Sequence, residues 1–564
     1  MFNPRFTPIA FVLALLGSVV QAQSVPDAGS ILRETERQPR ALPAQVAPVV
    51  PQALEPEGNN TVRVFAKVFE FSGNQLLTQT QLQAVVAPWL EQELSFVQLQ
   101  QVADAVSQAY RQLGWLATAK LPAQDVSEGT IRFQILEARF GKVQIDDEGK
   151  PLRLSPEVAQ GIMTARQTTG AALNLDALER SNSILNDMPG VGAVTVLSAG
   201  EQDGSSDVIV KLQDKPLLAA AMQLDNTGSR STGDSKLSFS GSINNPAGLG
   251  EQISLAANGT QGSRYYKAGY TLPVGVDGWR AGVNASTLDY KLVSADLASL
   301  KAKGDAQTQG LQLSYPLLRS NLHNVSFSAT YDWKTYYNEM NALPVSFKHV
   351  ESGVLALNGD HIDGWGSGGN TLWGLSVSSG RVDLSGNTNN QIADQAGPAT
   401  AGHFEKLSAN MARLQRLTPR LSLWASVSAQ SVNKNLDSSE KMSLGGPTGV
   451  RAYPVMEAVG DEGLFATLEL RYTLDSQWQL IAFYDQGRLN RDYNASYPGA
   501  MELQTVTLAG RGVGVNWSQS NKWSVRSVLA HRNGDNPLAN TQNGTDQDGS
   551  LKKYRVWLTG VFSF

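Results

Sequence analysis

The sequence contains no cysteine and only five histidines in 564 residues. Without cysteine the chain can form neither a disulfide nor a thiolate metal site, although this does not decide its redox compartment. The histidines are scattered, with no spacing typical of metal ligands. They are His323, His349, His361, His403 and His531. We therefore expect no metal site and no cofactor.

Motifs of enzyme active sites are missing as well. The chain has no G-K-[ST] phosphate loop, no G-x-S-x-G nucleophile elbow and no H-E-x-x-H zinc helix. Its formal net charge of −5 gives no basic footprint for nucleic acid. We predict that the protein is not an enzyme and does not bind nucleic acid.

Long apolar runs are also missing, with one short exception at the start. In residues 1–22 the positively charged Arg5 precedes the apolar run Ile9–Leu16. The small-residue site Val20-Gln21-Ala22 ends the segment. This order is typical of a secretory signal peptide, and the run is shorter than the roughly 20 residues that a membrane-anchoring helix needs. No later stretch reaches that length, so we expect the mature chain to leave the cytoplasm without a transmembrane helix.

Two segments lie between the signal peptide and the first folded module. Residues 23–40 contain the polar stretch DAGSILRETERQPR, which predicts a short helix. Residues 41–60 are rich in proline and alanine, a composition typical of an extended linker. The helix is either a mobile functional element or part of a disordered leader, and composition alone does not decide between them.

Residues 61–138 and 139–214 show the same order of predicted elements, a strand followed by two helices and two further strands. In the first, VRVFAKVFEFSG predicts one strand across 62–73. In VQLQQVADAVSQAY, apolar residues recur near the 3.6-residue period of a helix. The shared order and length indicate two tandem α+β modules of about 75 residues each.

Helical periodicity ends after Pro216, and residues 215–564 are rich in Gly, Ser, Asn and Thr. In LFATLELRYTL (464–474), apolar residues alternate with mostly polar ones, as in a strand of a membrane barrel. A water-soluble β-sandwich would show the same alternation. The signal peptide, the tryptophans near strand ends and the aromatic strand YRVWLTGVFSF favour the barrel. These tryptophans are Trp478, Trp517 and Trp523.

The length of this region predicts the number of strands. Two strands of roughly 10 residues, a short turn and a longer loop amount to about 20–24 residues per strand. About 350 residues therefore predict roughly 14–18 strands, and because even numbers are the rule we expect about 16. A barrel of this size encloses a water-filled bore that must be closed at rest.

Together these features resemble the two-partner secretion transporters (TpsB), the haemolysin and adhesin secretion/activation proteins of the BamA-like superfamily. The resemblance covers nearly the whole mature chain. DNTGSRSTG (225–233), INNPAGLGEQISLA (243–256) and YTLPVGVDGWRAGVNASTLDYKL (270–292) are similar to the first hairpins of such barrels. The implied fold class is membrane all-β: a C-terminal 16-stranded transmembrane β-barrel in the bacterial outer membrane, preceded by two periplasmic α+β POTRA domains.

The most specific part of the resemblance is a loop and a strand close behind it. Residues 445–463, GGPTGVRAYPVMEAVGDEG, resemble the sixth extracellular loop of the family, which folds into the barrel. Its tip motif is Val450, Arg451, Ala452 and Tyr453, and the strand motif Phe-x-Asp-x-Gly is Phe483, Asp485 and Gly487. Ala452 stands where the family usually has glycine. This puts the tip geometry in question, because glycine permits positive φ and alanine largely does not.

A contact between Arg451 and Asp485 can also be argued from the residues themselves. In QWQLIAFYDQG (477–487) the apolar set faces lipid, so Asp485 faces the bore. An arginine on a loop that folds inward could bind this carboxylate in a bidentate manner, through two N–H groups. The alternative is that Arg451 is solvated and Asp485 is an ordinary bore-lining charge. The resemblance implies the contact, which would hold the loop inside the barrel.

The resemblance implies an outer-membrane transporter that recognises an unfolded exported partner through its POTRA domains and passes it to the cell surface. The expected partner is a secreted exoprotein, namely a TpsA-like adhesin, haemolysin or toxin. Outer-membrane lipid and lipopolysaccharide are expected around a monomeric barrel. The alternative function is an assembly factor that inserts other barrels, although such members commonly carry more POTRA domains. A passive porin would have no use for two periplasmic modules.

Overall fold

The computed structural model describes residues 25–37, 63–520 and 522–564. The predicted signal peptide (1–22), the predicted linker (41–60) and both ends of the segment 23–40 lie outside the described residues. The first range contains helix α1 (Ala28–Glu36), whose N-cap Asp27 forms a capping box with Ser30. This box satisfies backbone N–H groups that the first helical turn leaves unpaired, so a helix of 9 residues can begin there.

The first α+β module contains two helices and five strands. They are β1 (Arg63–Ala66), β2 (Val68–Ser72), α2 (Gln79–Val86), β3 (Gln92–Ser95), α3 (Phe96–Gln112), β4 (Ala117–Lys120) and β5 (Thr130–Glu137). The central strand β5 is parallel to β2 and antiparallel to β4. Alternate residues of β5 are buried, so Ile131 and Phe133 point into a core that also contains Phe69 and Tyr110.

The strand predicted across 62–73 is divided at Lys67 in the structure, so this prediction was wrong. β1 pairs with β3 in a separate two-stranded sheet, whereas β2 joins β5. The carbonyl group of Gly129 accepts hydrogen bonds from the backbone N–H groups of Lys67 and Val68, at 2.8 and 3.2 Å. These two bonds turn the chain from one sheet into the other.

The second module repeats the order of a strand, two helices and two strands. Its elements are β6 (Arg139–Asp146), α4 (Pro156–Thr164), α5 (Leu175–Asp187), β7 (Val191–Ala199) and β8 (Ser205–Asp214). β8 lies in the middle of the sheet, parallel to β6 and antiparallel to β7. Phe140, Ile162 and Leu185 are buried where the helices cover the sheet.

Sixteen antiparallel strands form a closed barrel, which confirms the predicted strand number and fold class. The first eleven are β9 (Leu218–Asp225), β10 (Lys236–Asn244), β11 (Gln252–Gly259), β12 (Ser263–Val274), β13 (Trp279–Lys291), β14 (Lys303–Arg319), β15 (His323–Met340), β16 (Leu343–Asp363), β17 (Gly369–Asp383), β18 (Gly402–Arg416) and β19 (Leu421–Val432). Between β17 and β18 lies α6 (Thr388–Ala396), and after β19 the short strands β20 (Met442–Ser443) and β21 (Val459–Gly460) pair with each other. The last five wall strands are β22 (Glu462–Thr473), β23 (Trp478–Asn490), β24 (Thr505–Gln519), β25 (Trp523–Arg532) and β26 (Tyr554–Ser563).

The wall strands have an apolar outer face and an inner face toward the bore. In β23, Trp478, Leu480 and Tyr484 are exposed on the outside, whereas Phe483 and Asp485 are buried on the inside. An outer band of this kind suits a lipid environment. Within the ranges that the structure describes, no helix is long and apolar enough to cross a membrane.

The wall differs in height around the barrel. β9 has 8 residues and β16 has 21. β26 pairs with β9 over residues 559–563, whereas β15 pairs with β16 over residues 323–340. The seam that closes the barrel is therefore its shortest strand pairing.

Ion pairs join the second module to the turns at one rim of the barrel. Arg166, just after α4, donates to both oxygens of Asp277 at 2.8 and 3.1 Å. Arg319, at the end of β14, donates to both oxygens of Asp187 at 2.7 Å. The module therefore lies against the short turns between strands, which identifies this rim as the one that faces the modules.

Candidate functional site in the bore of the barrel

The segment between β19 and β22 folds into the bore. It is a hairpin closed by the pairing of β20 with β21. Its buried tip consists of Val450, Arg451, Ala452 and Tyr453. Near the tip, the Val450 N–H donates to the carbonyl group of Leu444 at 2.6 Å. We call residues 442–460 the inward loop.

Arg451 is held by two carboxylates on neighbouring strands. Its Nη2 and Nε donate to the two oxygens of Asp485 at 2.6 and 2.8 Å, and its backbone N–H donates to the same carboxylate at 3.1 Å. Its Nη1 donates to Glu469 Oε1 at 2.6 Å. The planar fork of arginine matches a carboxylate edge in a way that lysine cannot. The structure thus brings Arg451 and Asp485 together, with Arg451 only 5% exposed.

Glu469 is a site residue that the sequence analysis did not single out. Its Oε2 accepts hydrogen bonds from Arg471 at 2.6 and 2.9 Å, and its Oε1, which Arg451 also contacts, accepts one from Arg526 at 3.4 Å. It therefore links the loop arginine to two arginines of the wall. The alternation in LFATLELRYTL places Glu469 on the inward face, but it does not distinguish this residue from its polar neighbours.

Phe483 and Gly487 shape the space around the ion pair. The guanidinium carbon of Arg451 lies 3.5 Å from the ring centroid of Phe483, a cation–π contact. A Cβ at position 487 would come within 2.7 Å of Leu444 Cδ2. Glycine at 487 therefore lets the inward loop approach the wall closely.

Ala452 fits the tip without a left-handed backbone. Its φ is not positive, and its methyl group faces Gly510 on β24. A Cβ added at Gly510 would lie 2.6 Å from the Ala452 Cβ. The methyl group thus fills space that the missing side chain at 510 leaves free. The tip is conventional in φ, which answers the question that alanine raised at this position.

Side chains of β25 and β26 hold the other side of the tip. Trp557 Nε1 donates to the carbonyl oxygen of Arg451 at 2.7 Å, and Arg532 Nε donates to that of Ala452 at 3.3 Å. The guanidinium carbon of Arg532 also lies 4.7 Å from the ring centroid of Tyr453. The tip is therefore fastened both to β22 and β23 and to the last two strands.

Helix α1 occupies another part of the bore. Its apolar residues pack in a cluster with side chains of the wall, among them Tyr336. The Ala28 N–H donates to Asn338 Oδ1 at 2.8 Å, and the Tyr265 hydroxyl donates to Glu36 Oε1 at 2.7 Å. Both ends of α1 therefore contact the inner face of the wall.

Charged groups tie α1 to the wall and to the chain that leads into the inward loop. Lys348 Nζ donates to Asp27 at 3.1 Å and to Asp437 at 2.8 Å. Burial alone would raise the pKa of Asp27, but Lys348 and the Ser438 hydroxyl outweigh it and hold this pKa below its usual range. Arg33 Nη1 donates to the Ser438 carbonyl oxygen at 2.5 Å. Sequence reasoning missed this network, since 321 positions separate Lys348 from Asp27.

Polar and apolar contacts together hold the segments inside the bore. The inward loop and α1 form ion pairs and hydrogen bonds with the wall in addition to their apolar contacts. Folding exchanges such bonds with water at a small net gain, so the same groups can return to water. In the part of the chain that the structure describes, no group of three or more His, Asp or Glu is placed to hold a metal ion.

The barrel, the POTRA-like modules and the arginine-pinned inward loop define the class of two-partner secretion transporters of the outer membrane. The chain belongs to the haemolysin secretion/activation protein family ShlB/FhaC/HecB, whose profile matches residues 204–517. The profile of the ShlB-type POTRA domain matches residues 65–138. These matches confirm the resemblance that the sequence motifs indicated.

Similar proteins cover most or all of the chain. It is 26% identical over 588 residues to the heme/hemopexin transporter protein HuxB of Haemophilus influenzae, with 100% of both chains covered. It is 26% identical over 517 residues to the outer membrane transporter CdiB of Dickeya dadantii, which covers 88% of this chain and 87% of that one. The protein is accordingly located in the outer membrane, with its POTRA domains in the periplasm.

Solved structures share the fold. CdiB from Escherichia coli matches with a TM-score of 0.67 at 20% sequence identity, over 95% of this chain and 96% of that chain. BamA from Haemophilus ducreyi, lacking POTRA domains 1–3, matches with a TM-score of 0.52 at 14% identity, over 89% of this chain and 100% of that one. At these identities the likeness shows the fold alone.

Proposed function

We propose that the protein captures an unfolded exported partner with its POTRA domains and passes it as an extended chain through the barrel to the cell surface. The observation that carries this proposal is the content of the bore. The inward loop and α1 are held in part by charged and polar groups that water can solvate after release. A bore cleared of both segments would be wide enough for an extended polypeptide.

In this proposal the pair of Arg451 and Asp485 holds the inward loop at rest. The segment 23–40, with α1, acts as a plug beside it. Support comes from the contact of α1 with Ser438, which precedes the loop, because displacement of one segment removes contacts of the other. The two segments would therefore leave the bore more readily together than singly.

Capture of the partner is proposed to occur by strand addition at a free edge of a POTRA sheet. Among the described strands β7 has a single neighbour, β8, and its Val194 and Val196 are 56% and 42% exposed. An extended partner segment could pair its backbone with this edge while its apolar side chains contact the valines. This mode suits a chain that is unfolded and has alternating apolar residues.

Folding of the partner outside the cell is the proposed driving force. The sequence has no nucleotide-binding motif, and the proposed process needs no catalytic step. The partner is proposed to be a secreted exoprotein, namely a TpsA-like adhesin, haemolysin or toxin. The barrel is proposed to work as a monomer, with outer-membrane lipid and lipopolysaccharide against its apolar outer face.

Deletion of residues 61–214 tests the capture step in intact cells. We expect the exported partner to accumulate in the periplasm, while the barrel still inserts and keeps its heat-modifiable mobility on gels. Deletion of residues 28–36 is the matched control, since it removes a bore segment and leaves both modules. Continued secretion after the first deletion would refute capture by the POTRA domains.

Depletion of the whole protein separates the proposed transporter from an assembly factor. Loss of a transporter should remove one exoprotein from the cell surface and leave other outer-membrane proteins at normal levels. A fall in many outer-membrane barrels would instead favour the assembly factor. Quantitative proteomics of the surface and membrane fractions distinguishes the two outcomes.

A further inference from the structure

The second half of the inward loop makes a buried contact that neither the tip nor α1 uses. Glu457 is only 2% exposed. One of its carboxyl oxygens accepts a hydrogen bond from the backbone N–H of Gln547 at 3.0 Å, and the other accepts from Asn536 Nδ2. Both partners lie in residues 533–553, the loop between β25 and β26. Glu457 therefore joins two extracellular loops.

The charges around Glu457 disfavour ionisation of its carboxyl group. The same Asn536 amide that donates to Glu457 also donates to Asp546 Oδ1 at 2.9 Å. Arg532 and Arg555 pair with Asp546, and Arg555 lies 3.4 Å from Asp548. Among the described residues, Glu457 has no ion pair with a lysine or arginine.

Among the described residues, the titratable groups that act most strongly on Glu457 are Asp546 and Asp548, and both disfavour its ionised form. Tyr453, from the tip of the same loop, adds no charge. The two hydrogen bonds that the Glu457 carboxyl group accepts favour the ionised form but are outweighed. Burial, followed by Asp546, raises the pKa of the Glu457 carboxyl to about 8. At neutral pH the packed arrangement therefore keeps a proton on Glu457.

The backbone beside Glu457 is also unusual. Met456 has a φ of 60°, a left-handed backbone conformation that residues other than glycine rarely adopt. Release of the loop would let Met456 return to an ordinary conformation. The packed arrangement thus depends on contacts such as that of Glu457 to keep this turn in place.

We propose that Glu457 is a proton-dependent latch: its neutral carboxyl group fastens the inward loop to the loop of residues 533–553, and its ionisation loosens that contact. The proposal adds a regulation to the proposed function and rests on it where release of the loop clears the bore. The latch itself concerns only the contact between the two loops. This contact and its effect on the bore can therefore be tested separately.

The direction of the pH effect follows from the proton balance. A released glutamate has a pKa of about 4.3, so between about pH 4.3 and 8 the fastened loop holds one proton more than the released loop. The equilibrium for release then rises by up to about tenfold for each pH unit in this window. It levels off above the window, where Glu457 is ionised in both states.

Spin labels on the full-length chain test the latch directly. Because the chain has no cysteine, Val459→Cys and Thr541→Cys can carry labels on the two loops without competing thiols. We expect pulsed EPR at pH 5.5 to show one short distance and a longer population to grow toward pH 8. In the same protein with Glu457→Gln, which stays neutral, the distances should not change with pH. Equal pH dependence with and without Glu457→Gln would overturn the latch.

Conductance of the unlabelled protein in planar lipid bilayers tests the link to the bore. We expect the opening frequency of the wild type to rise toward pH 8 and that of Glu457→Gln to stay level. A pH-dependent label distance with constant conductance would support the latch and contradict closure of the bore by this loop. A constant label distance would contradict the latch and leave the proposed transport function standing.

Discussion

The interiors of the POTRA-like modules and of the barrel differ in their charged side chains. The first module encloses aromatic side chains such as Phe69 and Phe133, which are stable only away from water. The bore contains apolar clusters as well, but it also encloses Arg451, Asp485 and Lys348, which water can solvate. An apolar core resists opening, whereas a charged filling can leave its site and remain soluble. The comparison therefore separates the parts that must stay folded from those suited to move.

The largest expected effect is the loss of the first module's core. Phe133→Ala removes a ring packed 5.9 Å from Phe69 and 6.0 Å from Phe71, between ring centroids. It should lower the free energy of unfolding of this module by about 3–5 kcal/mol. Limited proteolysis should then cleave within 63–138 while the barrel keeps its heat-modifiable mobility. Phe65→Ala, at a side chain 45% exposed, is the control and should change little. Joint unfolding of barrel and module would contradict the separation.

The next effect is release of the inward loop. Arg451→Ala leaves the buried Asp485 without its arginine, whereas Glu469 keeps Arg471 and Arg526. Loss of one partner of a buried ion pair costs about 3–5 kcal/mol in a dry interior. We expect the lower end, because water enters the bore, together with more frequent channel openings in planar bilayers. Arg451→Lys should be intermediate, since its ammonium lacks the two-pronged fork. Arg488→Ala changes an exposed arginine of β23, the strand that carries Asp485, and should leave the openings unchanged. Unaltered openings in Arg451→Ala would contradict the role of this residue.

A smaller effect is expected where Ala452 faces Gly510. Gly510→Ala places a methyl group 2.6 Å from the Ala452 Cβ and should disfavour the closed tip by about 1–3 kcal/mol. Ala452→Gly in the same chain removes the clash and should restore the wild-type opening frequency. The double-mutant cycle measures this coupling. Additive effects of the two substitutions would mean that the methyl group and the glycine do not share one space.

The smallest effect is expected at the junction between the second module and the barrel. Arg166 and Asp277 form an ion pair whose side chains are 42% and 40% exposed. Such pairs contribute about 0.2–1 kcal/mol and weaken in salt. Arg166→Gln should therefore lower the melting temperature slightly at low ionic strength and not at high ionic strength. A loss as large as that of Phe133→Ala would show that the junction is not an ordinary surface contact.

The sequence predicts the wall of the barrel better than its contents. The length of the C-terminal region predicted 16 strands. Alternation, which is a local property of each strand, placed Asp485 on the inner face. Glu469 shares that inner face, but its contact with Arg451 depends on how the inward loop enters the closed barrel. The bridge from Asp27 through Lys348 depends on contacts between distant segments. The division at Lys67 was missed because alternation continues across it, and the break depends on two hydrogen bonds to the distant Gly129.

The short pairing of β9 with β26 has a consequence for insertion. The Asn226 side chain donates to the carbonyl oxygen of Val556, 330 positions away. Contacts so distant in sequence form late, and unpaired backbone groups cannot remain in hydrocarbon. The backbone groups of β9 and β26 along this seam therefore cannot stay unpaired in hydrocarbon. The wall must consequently close before it enters the membrane or while it does so.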